Sequence, residues 1–137
     1  MVDERWRPVV GFQGFYEVSS LGQVRSLDRV EKTRNRWGEM DRVKRGKILK
    51  PGLRGRHLTV DLRAPGRIPR HYLVHRLVLE AFVGPAPKDQ PLALHWNDVP
   101  TDNRLENLRW GSVSDNAHDS VRNGTHHNRR MKEARHG

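Results

Sequence analysis

Residues 94–120 read LHWNDVPTDNRLENLRWGSVSDNAHDS, which sets His95 twelve residues before Asn107 and twenty-one before Asn116. The apolar run ending at His95 suits a strand. Asn97, Asp98, Pro100, Asp102 and Asn103 then form a polar, turn-rich stretch. Leu108, Arg109 and Trp110 return as a second short strand, and Ser112 or Ser114 can cap a helix. The layout is strand, loop, strand, helix. It puts His95 at the end of the first strand and Asn116 in the first turn of the helix, so both side chains can face one site. Imidazole, with an ordinary pKa of about 6.5, is the side chain best suited to removing a proton from water near neutral pH. His95 is therefore the candidate general base. Asn107 carries an amide, a poor acid or base but a two-sided hydrogen-bond bridge, suited to tying the loop in place so that His95 points correctly.

The same character extends upstream. VHRLVLEAFVGPAP occupies 74–87, followed by ALH, NRLENLRW and SDNAHD, and WRPVVGFQGFYEVSSLGQVRSLDR occupies 6–29. In this order the stretches resemble the HNH endonucleases, the His-Me finger or ββα-metal class, in their phage and homing form with an N-terminal nuclease-associated module. The resemblance covers most of residues 6–127. It implies an α+β fold of small antiparallel strands plus helices around a ββα-metal motif. It also implies His95 as general base, Asn107 as the asparagine that holds the loop, and Asn116 as a metal ligand where many relatives have histidine. Leu94 departs from the pattern, because many relatives place Asp or Asn there and leucine cannot ligate a cation. Asp98, three residues past His95, and Asp119, one helical turn past Asn116, are the nearest carboxylate candidates for the missing ligand.

Hydrolysis of a phosphodiester needs an activated water in line with the leaving oxygen and a cation to neutralise the charge developing there. Oxygen donors such as Asn and Asp suit Mg²⁺, the default expectation, with Mn²⁺ the alternative. The expected partner is double-stranded DNA, cut or nicked.

Charge points independently to a polyanion. The chain has 26 Lys and Arg against 16 Asp and Glu, a net charge of +10 on 137 residues. Eleven of these cations lie between Arg29 and Arg56, against Glu31, Glu39 and Asp41. Such a field attracts nucleic acid regardless of sequence. Arg34, Arg36, Arg42, Lys44, Arg45 and Lys47 are the candidate phosphate contacts of this segment, read as a loop or ribbon along DNA. Arg129 and Arg130 are the candidates in the basic C-terminal stretch. A basic run is also what a solvated face looks like, so the motif, not the charge, decides for DNA.

Other ring-bearing residues divide between site and scaffold. Trp37 lies among charged residues and is the candidate DNA-contacting aromatic. Trp6 has stacking as one reading, Trp110 belongs to the core, and Trp96 either shields the site or packs. His75 has a structural reading and, beside it, one as an orienting residue. His126 and His127 read as tail residues.

Periodicity gives the rest. A hairpin is predicted from 16–19 and 23–27, a half-buried strand over 57–62 with Leu58, Val60 and Leu62 on one face, and a strand near 68–73 interrupted by Pro69. Val74, Leu77, Val78, Ala81 and Phe82 share a helix face closed by Gly84 and Pro85. A last helix over about 113–122 places Val113, Ala117 and Val121 on a packing stripe, with Asn116 pointing elsewhere. Residues 31–46, poor in apolar side chains, are expected to be a flexible insertion. The expected organisation is an N-terminal nuclease-associated module over 1–62, a nuclease domain over 63–124 and a basic tail over 125–137. The chain has no cysteine, hence no disulfide or thiolate-bound zinc, and no apolar run long enough for a membrane span. The cytoplasm of the host is the expected location. A DNA-binding protein on the same scaffold with impaired catalysis is the alternative function, favoured by Leu94; an RNA-binding basic protein rests on charge alone.

Overall fold

The computed structural model describes residues 3–122, without the side chains of Asp119, Ser120 and Arg122. The expected sites Arg129 and Arg130, with His126, His127 and the tail, lie outside the described residues, as does the Asp119 side chain. The α+β class read from the sequence is the observed one.

The first sheet has antiparallel order β1 (Trp6–Pro8), β2 (Tyr16–Ser19), β3 (Val24–Ser26). The β2–β3 turn is made locally: Ser19 Oγ accepts the amide protons of Leu21 at 3.2 Å and Gln23 at 3.0 Å, and Gly22 takes φ +86°. A second sheet joins β6 (Gly52–Arg54), β7 (His57–Leu62) and β8 (Arg70–Leu73), all antiparallel. Helix α1 (Val74–Phe82) follows β8 without a break. Its end is closed by the Val83 and Gly84 amides, both donating to Leu79 O. Then come β9 (Leu92–His95), a single 3₁₀ turn (Leu105–Asn107), β10 (Leu108–Gly111) paired antiparallel with β9, and α2 (Val113–Arg122).

One hydrophobic core serves all of these. Val18 and Val24 of the first sheet, with Val9 and Phe12 of the β1–β2 connection, pack with Val60 and Leu62 of β7, with Val74, Leu77, Val78 and Leu79 of α1, and with Leu108 and Trp110 of β10. Each such side chain contributes roughly 1.5–3 kcal/mol on full burial. Two polar tips at the core are satisfied across elements. Tyr16 Oη bonds both the amide and the carbonyl of Arg63, each at 3.1 Å, and Trp110 Nε1 donates to Gly84 O at 3.0 Å. The core therefore continues across the expected module boundary at 62–63, where β7 and β8 share a sheet.

Two expectations are corrected. Residues 31–46 are not a flexible insertion. They lie largely in a long antiparallel ribbon, β4 (Arg29–Asn35) with β5 (Gly38–Lys44), paired in register from Arg29↔Lys44 to Asn35↔Gly38. Its register sets Glu31 opposite Arg42, Lys32 opposite Asp41 and Arg34 opposite Glu39, and Glu31 makes an ion pair with Arg29 at 2.8 Å. Asn35 Oδ1 accepts the Trp37 amide at 2.8 Å and Gly38 adopts φ +113°, closing the tip. The second correction concerns α2. Val113, Ala117 and Val121 are exposed, Val113 at 74%, and the helix turns its Asn116 side inward. The reason is the helix start: Ser112 Oγ accepts the Asp115 amide at 3.1 Å while Asp115 Oδ2 accepts the Ser112 amide at 2.9 Å. This reciprocal cap sets the rotation of the helix against β10. Of the two serines considered for the cap, Ser112 is the one used.

Candidate active site

His95 is the last residue of β9 and pairs with Leu108 of β10, so its ring enters the site from the most constrained point of the hairpin. The chain then leaves the ladder through a loop held almost wholly by side-chain amides and carboxylates. Asn107 lies at its centre. Its Nδ2 donates to Asn97 Oδ1 and to Asp102 O, both at 2.9 Å, and its Oδ1 accepts the Asn97 amide at 3.2 Å. Its own carbonyl accepts the Trp96 amide at 2.8 Å. Asn97 is bound on its other side too, with Nδ2 donating to Asp102 Oδ2 at 2.9 Å and Oδ1 accepting the Val99 amide at 3.0 Å. Asp102 closes the net through a two-pronged pair with Arg104 at 2.8 and 2.9 Å. The Arg104 guanidinium, aided by the Asn97 amide, holds the Asp102 carboxyl down at about 2, so it is ionised at any working pH.

This net delivers Asn103. Its Oδ1 lies 2.8 Å from His95 Nε2, and both residues are buried. An amide oxygen can only accept, so Nε2 carries the proton and Nδ1 keeps its lone pair. Burial lowers the His95 pKa, partly countered by the Asn103 bond and by the charges of Asp102 and Asp98, while His57 lowers it further. The ring is thus neutral near pH 7 and fixed in one tautomer.

Asn103 is itself buttressed from the N-terminal part of the chain. The space at Gly22 is filled by Asn103, whose carbonyl oxygen and Cβ would lie 2.8 and 2.9 Å from any added Cβ. Leu105 N donates to Ser20 O at 2.8 Å beside this contact.

His75, at the start of α1, and His57, at the start of β7, complete an imidazole cluster with His95. Ring centroids are 4.8 Å apart for His75 and His95, 5.0 Å for His57 and His75, and 6.2 Å for His57 and His95. Burial, with the charges of His95, His57 and Arg76, pushes the His75 pKa down to about 3. Its Nδ1 is buried and finds no hydrogen-bond partner among the described residues, and the same holds for that of His57.

These residues front an open cleft of about 580 Å³ whose lining includes His95, Asn116, Asp98, His57, His75, Arg56 and Arg76. The cleft brings together three residues singled out in the sequence, His95, Asn116 and Asp98. Asn107 stands behind it, in the loop. Leu94 lines it too, buried against the notch left by Gly111, whose missing Cβ makes room for the leucine side chain. Asp98 adopts φ +57°, and its amide donates to His95 O at 3.1 Å. Among the described residues no group of three or more His, Cys, Asp and Glu is arranged to hold a metal. The side-chain oxygen donors lining the cleft among the described residues are one carboxylate, Asp98, and one amide, Asn116. That set fits an oxygen-seeking cation which keeps most of its waters and takes phosphate oxygens from a substrate.

The remaining candidates form a separate surface. Arg34, Arg36, Trp37, Arg42 and Lys44 are exposed on or at the tip of the ribbon, with Trp37 82% exposed under the Arg36 guanidinium at 5.0 Å. Arg45 and Lys47 are exposed beyond it, Arg45 with a 3.6 Å pair to Asp28. Trp6 is covered by Arg25 at 4.0 Å and Trp96 by Arg109 at 3.8 Å. Sequence reasoning missed Asn103, Arg56, His57 and Arg76. Asn103 is one of five polar residues between 97 and 103 with nothing to mark it, and Arg56 and His57 reach the cleft through the tertiary packing of His57 on His75, which no local spacing encodes.

The arrangement has counterparts. Residues 72–118 match the family model described as HNH endonuclease, and residues 4–63 match the NUMOD4 motif. Over residues 72–118 the chain is similar to the HNH endonucleases. An uncharacterized HNH endonuclease of Acanthamoeba polyphaga mimivirus is 30% identical over 123 residues, covering 88% of this chain and 27% of that protein. The HNH homing endonuclease I-HmuI, in a structure of DNA binding and cleavage by that protein, aligns with a TM-score of 0.59 and 22% identity. That alignment covers 88% of this chain and 60% of I-HmuI. The chain thus spans about a quarter of the viral relative and three fifths of the solved one. HNH nucleases generally use a divalent metal ion. No helix among the described residues is long and apolar enough to cross a membrane.

Proposed function

We propose that this chain is an HNH DNA endonuclease, of phage or mobile-element type, that hydrolyses or nicks phosphodiester bonds in double-stranded DNA with a divalent metal ion. The observation that carries the reading is the convergence of His95 and Asn116 on one cleft, with the His95 ring held neutral and oriented by Asn103. His95 Nδ1 takes a proton from the attacking water as general base. The imidazolium that forms is stabilised by its hydrogen bond to Asn103 and by the nearby charges of Asp102 and Asp98. Asn107 acts one step back, holding the loop that carries Asp102 and Asn103.

Asn116 and Asp98 would hold the ion, with Asp119 a further candidate on the same helix, and their oxygen chemistry favours Mg²⁺ with Mn²⁺ as substitute. When bound, that ion neutralises charge on the leaving oxygen. The exposed ribbon with Arg34, Arg36, Trp37, Arg42 and Lys44, continued by Arg45 and Lys47, lies along the DNA backbone, and Arg129 and Arg130 extend the contact. The N-terminal module over 1–62 carries the ribbon that meets DNA, and the 63–124 nuclease unit carries the base and the ion-holding residues. Because its substrate is DNA, we take the host cytoplasm as its place of action.

Conversion of supercoiled plasmid to open-circular or linear form in Mg²⁺ or Mn²⁺, blocked by EDTA and abolished in His95→Ala with DNA binding retained, is the expected result. Cleavage by His95→Ala at the wild-type rate would refute the assignment. Plasmid retarded but intact under every condition would favour the second reading, a DNA-binding protein with impaired catalysis, for which the buried Leu94 is the supporting observation.

A further inference from the structure

Part of the cleft lining does not come from the HNH segment at all. It comes from the turn between β6 and β7, where Arg54 pairs with His57 and the two-residue connection is Gly55-Arg56. Gly55 takes φ +63° with open space around it, so the turn is tight and Arg56 is placed at its corner. His57 anchors that corner by stacking on His75, which in turn packs on His95. Arg56 and His57 therefore share the cleft with the candidate base and Asn116.

The two guanidinium groups that line the cleft differ in their commitments. Arg76 donates to Pro91 O at 3.3 Å, approaches Glu80 at 3.9 Å and lies over the Trp110 ring at 5.1 Å. Arg56 is exposed and forms no ion pair with any described residue. It also ends a run with no acid, Arg45, Lys47, Lys50, Arg54 and Arg56, whereas the ribbon opposes acids to several of its cations. A DNA backbone attracted to this track is led to the cleft. The only acidic side chain lining the cleft among the described residues is Asp98, so a phosphate there meets a guanidinium without a competing partner.

We propose that Arg56 is a further catalytic residue: its guanidinium binds the non-bridging oxygens of the scissile phosphate and stabilises the charge they gain as water attacks. The inference rests on the nuclease reading above and extends it to a residue outside the matched HNH segment. In the step, the water oxygen forms a bond to phosphorus and its proton passes to His95 Nδ1. The bond from phosphorus to the leaving oxygen breaks, and that oxygen takes a proton from solvent. Arg56 donates hydrogen bonds and keeps all its protons, which a guanidinium does at any pH of interest. Its planar fork matches two phosphate oxygens at once, which an ammonium group does not.

The test uses the full chain and single-turnover cleavage of a plasmid or duplex at saturating enzyme, so that weakened DNA binding does not enter the rate. Arg56→Ala is expected to slow that step by ~10²–10³-fold, the loss typical of removing one donor to a developing oxyanion. Arg56→Lys recovers only part of it, and added guanidinium ion restores part of the Arg56→Ala rate. DNA affinity measured in EDTA changes a few-fold at most, and the melting temperature is unchanged because the side chain is exposed. A loss that disappears at saturating enzyme, or a saturated rate equal to wild type, overturns the proposal. If His95→Ala is inactive while Arg56→Ala is not, this inference alone fails. If wild type itself does not cut, the nuclease reading fails and takes this one with it.

Discussion

Lowering the pH from 8 to 5 is expected to cost the fold about 2 kcal/mol through His75 alone. The ring is 4% exposed and has a folded-state pKa of about 3, whereas an unfolded histidine titrates near 6.5. At pH 8 neither state binds a proton at this site, so the group is silent. Below pH 6.5 the unfolded chain takes up a proton that the folded chain refuses, and stability falls by roughly 1.4 kcal/mol per pH unit until the folded ring titrates as well. The stabilising window of the neutral ring therefore lies above 6.5, and it is lost as pH falls toward 3. At pH 5 the unfolded ring is roughly 97% protonated, which gives a loss of about 2 kcal/mol, set by the unfolded value because 5 lies well above the folded one. The lowered pKa of His95 acts in the same direction. Urea unfolding of wild type and His75→Phe at pH 8 and pH 5 isolates the His75 share, since every other titrating group is present in both proteins. Wild type should lose about 2 kcal/mol more than the variant over that interval, equivalent to ~6–10 °C in melting temperature. Equal losses in the two proteins would refute a buried neutral imidazole at this position.

Two further substitutions probe how the base is held. Asn107→Ala removes two donated bonds and one accepted bond from the loop, and should lower stability by about 1–3 kcal/mol along with the cleavage rate; unchanged melting and unchanged rate would remove it from the site. Gly22→Ala puts a Cβ within 3 Å of Asn103 backbone and side chain at a positive φ, so it should destabilise by more than ~1 kcal/mol and lower the saturated cleavage rate without altering DNA affinity. A drop in stability with the rate intact would show that Asn103 does not transmit the Gly22 contact to His95.

The elements that the sequence announces are those whose apolar residues recur with the period of the structure. Helix α1 follows its 3.6-residue pattern, β7 its alternation, and the β2–β3 hairpin its Ser-Leu-Gly turn. The β4–β5 ribbon escaped because its pairing rests on opposed charges and a single Gly38 turn, which composition reads as a loop. Helix α2 was found in position but rotated in expectation. A stripe of Val113, Ala117 and Val121 reads as a packing face only when a surface exists to receive it, and here the cap at Ser112 and Asp115 turns Asn116 inward instead. At the site the same division holds. His95, Asn107 and Asn116 were legible as an ordered set along 27 residues, whereas Asn103 is distinguished only by its place in a hydrogen-bond net.

The cleft is a joint product of the two matched segments, and this bears on what the N-terminal one is for. Its β2–β3 turn presses on Asn103 through Gly22 and accepts the Leu105 amide at Ser20. Its β6–β7 turn supplies Arg56 to the cleft, and its strand β7 supplies His57 to the cleft and Val60 and Leu62 to the core. Removing residues 4–63 would therefore strip the matched HNH segment of a core layer, of the support behind His95 Nε2 and of one cleft wall together. A module that only tethered the proposed nuclease unit to DNA would have no reason to be built into the core on one side and the candidate cleft on the other. The shared core makes orientation of the base and integrity of the N-terminal sheet parts of one folding unit, so perturbing either is felt at both.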